Sequence, residues 1–140
     1  MRMARRQGMG GGKVQDLDIR TTTISLTSKA WVTRDKHGNV TENVQGKASS
    51  WSKTLDLSKY TKVHFQVTGG SGSRYISAGT VKTTNPGTGE KILDISGISN
   101  RSSLTVTVYL YGASASAAGY YPSTNVVNTS ITVSRVWASA

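Results

Sequence analysis

Leu104-Thr105-Val106-Thr107-Val108-Tyr109-Leu110 alternates apolar and polar residues without a break. Successive side chains of a strand point to opposite faces, so the stretch predicts a half-buried β-strand. Leu104, Val106, Val108 and Leu110 should face a core, with Thr105, Thr107 and Tyr109 outside. Val63-His64-Phe65-Gln66-Val67 alternates in the same way. Each run follows nearly the same phrase, Leu55-Asp56-Leu57-Ser58 in one case and Leu93-Asp94-Ile95-Ser96 in the other. Asp and Ser side chains accept bonds from backbone N–H groups two residues on, which builds a turn between strands. The flanking Leu or Ile then plugs the core edge. Turn building accounts for both carboxylates better than catalysis does. Chance likeness between two β-rich segments is the rival explanation of the repeat.

Strand grammar extends in both directions. Thr21 to Leu26 alternates and is rich in Thr. Ala30 to Thr33 and Val40 to Val44 flank Asp35-Lys36-His37-Gly38-Asn39, which predicts a hairpin with its turn at Gly38 and Asn39. Trp51 to Leu57 is a further strand. Thr68-Gly69-Gly70-Ser71-Gly72-Ser73 reads as a loop and Tyr75 to Val81 as one strand. Asn85 to Glu90 is a Pro-Gly turn, Gly112 to Ser123 a long Ala/Ser loop, and Ser130 to Trp137 a closing strand. Eight or nine short strands with turns every 8 to 14 residues and no helix predict an all-β fold. We expect a two-sheet β-sandwich with jelly-roll or Greek-key connections.

The chain has 140 residues, one domain's worth. It contains no cysteine, which excludes disulfides and thiolate metal sites. No apolar run approaches the ~20 residues that a membrane helix needs. The N-terminal arginines precede no apolar segment, so no secretory signal is expected. The net charge is +10. Such an excess attracts polyanions, yet the bases from Arg20 to Arg135 are scattered, without the clustering and interleaved aromatics of a nucleic-acid groove.

Part of the charge is local. Residues 1–16 read as a flexible basic arm, with Arg2, Arg5, Arg6 and Lys13 among four glycines, ahead of a sandwich domain at 17–140. Such an arm is expected to become ordered by gripping a neighbouring subunit, its arginines pairing with carboxylates and its methionines adding adaptable apolar contact. Contact with packaged DNA and a plain unstructured leader are the rival uses.

The run from Trp51 to Tyr60, with Val63 to Val67, Leu93 to Gly97 and Leu104 to Val108, resembles jelly-roll domains of bacteriophage structural proteins. These look like carbohydrate-binding modules and occur in tail, tail-tip and head-decorating proteins. The resemblance covers about residues 20 to 137 and rests on the Leu-Asp-[Leu/Ile]-Ser phrase followed by a strand. It implies a virion structural protein assembled in the host cytoplasm, in multiple copies with other virion proteins, with host-surface glycans as a further partner. It brings no catalytic residue.

Catalytic signatures are missing. The two histidines, His37 and His64, fall in a turn and on the outer face of a strand. Asp16 and Asp18 form the sole close pair among the seven acids, and no metal-ligand, phosphate-loop or nucleophile-elbow spacing appears. We therefore expect no enzyme, no cofactor and no metal. The aromatics are the other candidates. Tyr109 and Tyr111 share the polar side of their strand, Tyr120 and Tyr121 lie in the Ala/Ser loop, and Trp51 opens a strand. Such rings suit pyranose stacking or a subunit interface, and for Tyr109 and Tyr111 the interface is the preferred reading.

Overall fold

The computed structural model describes residues 14–140. Arg2, Arg5, Arg6 and Lys13 lie outside the described residues, and with them most of the expected arm. Nine strands follow in order: β1 (Leu17–Arg34), β2 (Val40–Val44), β3 (Ser49–Leu55), β4 (Lys62–Ser71), β5 (Arg74–Ala78), β6 (Val81–Thr84), β7 (Gly89–Asp94), β8 (Leu104–Leu110) and β9 (Ser123–Ser139). They form two antiparallel sheets, ordered β2-β1-β9-β4-β7 and β3-β8-β5-β6. The all-β sandwich expected from the alternation is what the chain adopts.

Setting aside β2, which is a hairpin appendage of β1, the pairing is nested. β1 pairs β9, β3 pairs β8, β4 pairs β7 and β5 pairs β6. The first half of the chain thus runs antiparallel to the second half, folded back on itself at the β5–β6 turn.

The core lies between the sheets. Val106, Val108 and Leu110 of β8, with Ile76 and Ala78 of β5, meet Val63, Phe65 and Val67 of β4 and Ile131, Val133, Val136 and Ala138 of β9, all buried. Burying a side chain of this size contributes about 1.5–3 kcal/mol. The spacing in β9 changes parity, from Ile131 and Val133 to Val136 and Ala138. The ladder accounts for it: Gln66 faces Arg135 while Val67 faces Val133, leaving Ser134 as an extra residue. A bulge of this kind swaps the faces of everything beyond it, and so Trp137 emerges on the outer side of the sheet.

The repeated phrases fold alike. Asp56 Oδ1 accepts bonds from the Ser58 N–H at 3.0 Å and the Ser58 hydroxyl at 2.5 Å, and Asp94 does the same with Ser96 at 2.9 and 2.6 Å. Leu57 and Ile95 are the plugs, both wholly buried. The first turn carries the chain from β3 to β4 and the second from β7 towards β8, each crossing between sheets. The Ile95 N–H bonds to the Thr61 carbonyl, so the two turns lie side by side. Arg101 ties them together, donating to the carbonyls of Tyr60 and Ile98 at 2.9 Å each.

Several local expectations need correction. Thr21 to Leu26 and Ala30 to Thr33 lie within one long strand, β1, and the closing strand begins at Ser123, not Ser130. Thr68 to Ser73 is not all loop: β4 continues to Ser71, because Gly69, Gly70 and Ser71 pair with Thr132, Ile131 and Ser130 of β9. Tyr75 to Val81 is not one strand. Gly79, with φ of 59°, breaks it into the β5–β6 hairpin, at the position where a two-residue II′ turn favours glycine.

The Ala/Ser stretch is the long loop expected, and it has a structural task. The five-stranded sheet outruns its partner, leaving Ala30 and Val32 of β1 to be covered from elsewhere. Both are buried, as is Ala113. The Ala113 N–H donates to Ser28 Oγ, Gln45 bonds both the N–H and the carbonyl of Ala115, and Arg34 donates to the carbonyls of Ala117 and Tyr121. Small side chains allow this approach. A Cβ added at Gly112 would lie 2.6 Å from the Gly46 carbonyl oxygen.

Candidate functional site

The outer faces of the two sheets differ in chemistry. On the four-stranded sheet the ladder sets Thr84, Tyr75, Tyr109 and Ser50 in one row, and Lys82, Ser77, Thr107 and Ser52 in the next. Thr105 and Thr54 follow, their hydroxyls 2.8 Å apart. All these residues are hydroxylic except Lys82. The four strands contain no Asp or Glu.

Tyr75 is the centre of this face. Its ring stacks on Tyr109 with centroids 4.9 Å apart and 15° between planes. Tyr111 meets Tyr109 edge-on at 4.9 Å and Tyr75 tilted at 5.8 Å, so the three rings close a triangle. The bond from the Tyr111 N–H to the Ser73 carbonyl holds the third ring just past the end of β8. Because β5 runs between β8 and β6, Tyr75 has Tyr109 on one side and Lys82 on the other, the ammonium 4.5 Å from the ring centroid. Burial, followed by the phenols of Tyr111 and Tyr109, holds the Tyr75 hydroxyl above the ordinary tyrosine range. Tyr75 and Tyr109 spend ring faces on each other. Tyr111 is the open ring, 38% exposed.

The outer face of the five-stranded sheet is a charge-paired surface. Its centre is His64, whose Nδ1 lies 2.9 Å from Glu90 Oε2 and whose Nε2 lies 2.6 Å from Ser139 Oγ. Arg135 lies over Trp137 and bonds Asp18 at 2.6 Å, beside a hollow of about 420 Å³ lined by Asp18, Ile19, Arg20, Ser134 and Arg135. These contacts link β7, β4, β9 and β1 across the sheet. Ser139, His64 and Glu90 come together in a way the sequence does not announce, since 75 and 26 residues separate His64 from its partners. No group of three His, Asp or Glu side chains among the described residues is placed to hold a metal ion.

Of the aromatics singled out from sequence, Tyr109 and Tyr111 do come together. Trp51 does not join them. It pairs with Val108 in the ladder, which turns it to the core side of edge strand β3, with the Arg20 guanidinium 4.7 Å from its ring. That facing is fixed by its partner across the ladder and not by the local sequence. Tyr120 and Tyr121 are exposed at the loop tip, whose backbone Arg34 holds. Tyr75 and Lys82 were missed. The alternation of Arg74-Tyr75-Ile76-Ser77-Ala78 puts Tyr75 outside, but only the pairing of β5 with β8 sets it against Tyr109. Comparison of the chain with protein-family models, with curated proteins and with solved structures finds no match.

Proposed function

We propose that this chain is a non-enzymatic structural subunit of a bacteriophage particle, a capsid-decoration, neck or tail protein. It works as a jelly-roll module that docks onto other virion proteins through its basic N-terminal residues and its sandwich surface. The observation that carries the reading is the nested pairing β1/β9, β3/β8, β4/β7 and β5/β6. That order is the one expected of an eight-stranded jelly roll, an architecture of capsid and lectin domains, and it agrees with the resemblance carried by the Leu-Asp-[Leu/Ile]-Ser phrases. Fold analogy alone never fixes function, so the reading needs an assembly experiment. Deleting residues 1–13 should abolish incorporation into particles while leaving the strand signal and cooperative melting of the sandwich intact. Incorporation at the full level would sink it.

A second reading is a stand-alone glycan-binding or host-adhesion module. The triangle of Tyr75, Tyr109 and Tyr111 among rows of hydroxyls favours it. A glycan array should then give hits that Tyr109→Ala and Tyr111→Ala abolish, and a blank array would end it.

A further inference from the structure

The Tyr75 face invites a question about its ligand. Two of the three rings are stacked together, which leaves little flat apolar surface for a neutral sugar to cover. What the face offers outward is hydroxyls, phenol edges, the open ring of Tyr111 and one ammonium. Among the described residues, the exposed large aliphatic side chains are Val40, Ile92 and Val126, all on strands of the other sheet. A protein interface centres on open aromatic and aliphatic side chains, whereas here two of the three rings are closed on each other and no exposed aliphatic lies beside them.

Its charge is one-sided as well. The strands β3, β5, β6 and β8 carry Lys53, Arg74 and Lys82 and no acid. Lys53 pairs with core residue Val106, so it belongs to the opposite side of its strand. Arg74 is engaged with the carbonyls of Gly72 and Pro86. Lys82 alone faces outward beside the rings, its ammonium positioned against Tyr75 with no carboxylate on these strands to neutralise it.

We infer that this face binds a carboxylate-bearing glycan, with Lys82 pairing the carboxylate and Tyr111 and the neighbouring hydroxyls contacting the sugar. The inference rests on the glycan-binding reading and deepens it. A charge-assisted bond to a carboxylate is stronger than a neutral one, and it gives the selectivity that a row of hydroxyls does not.

The test uses the full chain and matched pairs of probes: uronate-containing oligosaccharides and the same oligosaccharides with their carboxyls reduced to alcohols. The wild type should bind at least one acidic member roughly tenfold more tightly than its reduced twin. Lys82→Gln should erase that preference while leaving affinity for the reduced twin unchanged, and Lys82→Arg should restore it. Tyr111→Ala should weaken both members alike. Equal binding of the acidic and reduced members overturns the inference and leaves the glycan reading standing. No binding to any member overturns both. A hexaglutamate peptide that binds as well as the uronates would also overturn the inference, since the face would then select protein carboxylates.

Discussion

The imidazole of His64 lies flat on the indole of Trp137, with ring centroids 4.6 Å apart and 7° between planes. Both rings are on the outer face of the five-stranded sheet, yet His64 is only 8% exposed and Trp137 9%. Trp137 reaches this position through the bulge at Ser134. The stack and the bonds to Glu90 and Ser139 therefore secure β7 and the end of β9 to β4. His64→Phe keeps a ring on the indole and loses the two polar bonds, a cost of about 1–2 kcal/mol with Glu90 half-exposed and able to regain water. His64→Ala also loses the stacking and should cost about 2–3 kcal/mol. Urea melts of the two variants check the order; equal losses would mean that the stack contributes nothing.

The paired turns make acid stability testable. The bonds from the Ser58 hydroxyl and N–H hold the Asp56 carboxyl below its ordinary value, and Ser96 does the same for Asp94. A carboxylate whose pKa is lower folded than unfolded contributes stability above its unfolded pKa, about 4, and loses it as pH falls through the folded value. The folded state supplies its own control. Asn100 Oδ1 accepts from the N–H and hydroxyl of Ser102 in the same pattern, without a charge. The double variant Asp56→Asn, Asp94→Asn should keep both turns and lose less stability than the wild type as pH falls below about 4. Matching acid limbs for variant and wild type would refute the assignment.

Val106 and Phe65 are wholly buried on facing sheets. Val106→Asp or Phe65→Asp places a charge with no partner between them, at a cost above ~5 kcal/mol, comparable to the entire stability of many domains. Neither variant should give a cooperative melt. A soluble, cooperatively unfolding product would show that the inside and outside of these strands are misassigned.

Period-two patterning made β4 and β8 legible because their core-facing side chains are apolar and their outward ones polar, so every second residue reports its side. The turns were legible for an equally local reason: Asp56 and Ser58 are two residues apart. What depends on remote partners was not. The parity of β9 flips at Ser134 only because β4 opposes it with one residue fewer. The stack of Tyr75 on Tyr109 needs two strands brought together from positions 34 apart in the chain, and the bonds from Glu90 through His64 to Ser139 need three. Glycine misled in both directions. Gly69 and Gly70 stay within a strand because β9 pairs with them, while Gly79 alone, inside a good β run, makes a turn.

The Ala/Ser loop gives the last test. Arg34 Nη2 donates to the Ala117 carbonyl at 2.7 Å, Nε to Tyr121 at 3.2 Å and Nη1 to Gly38 at 3.1 Å, so one guanidinium fastens the loop to the β1–β2 turn. Tyr120 and Tyr121 beside it are 86% and 81% exposed, and the Tyr120–Tyr121 bond offers a chymotrypsin site, Pro122 protecting the bond after Tyr121. Cleavage needs the backbone to leave its hydrogen bonds, so the rate follows local opening. Each lost bond from a charged donor costs about 1.5–3 kcal/mol when its partner is buried and less where water replaces it. Arg34→Ala should therefore raise the rate of cutting after Tyr120 by roughly tenfold or more. Global melting should shift little, since the loop covers only the end of the sheet and the main core lies under β8. Arg34→Lys keeps the charge but reaches fewer carbonyls, and its rate should fall between the two. An unchanged rate in Arg34→Ala would mean that Gln45 and Ser28 hold the loop without it.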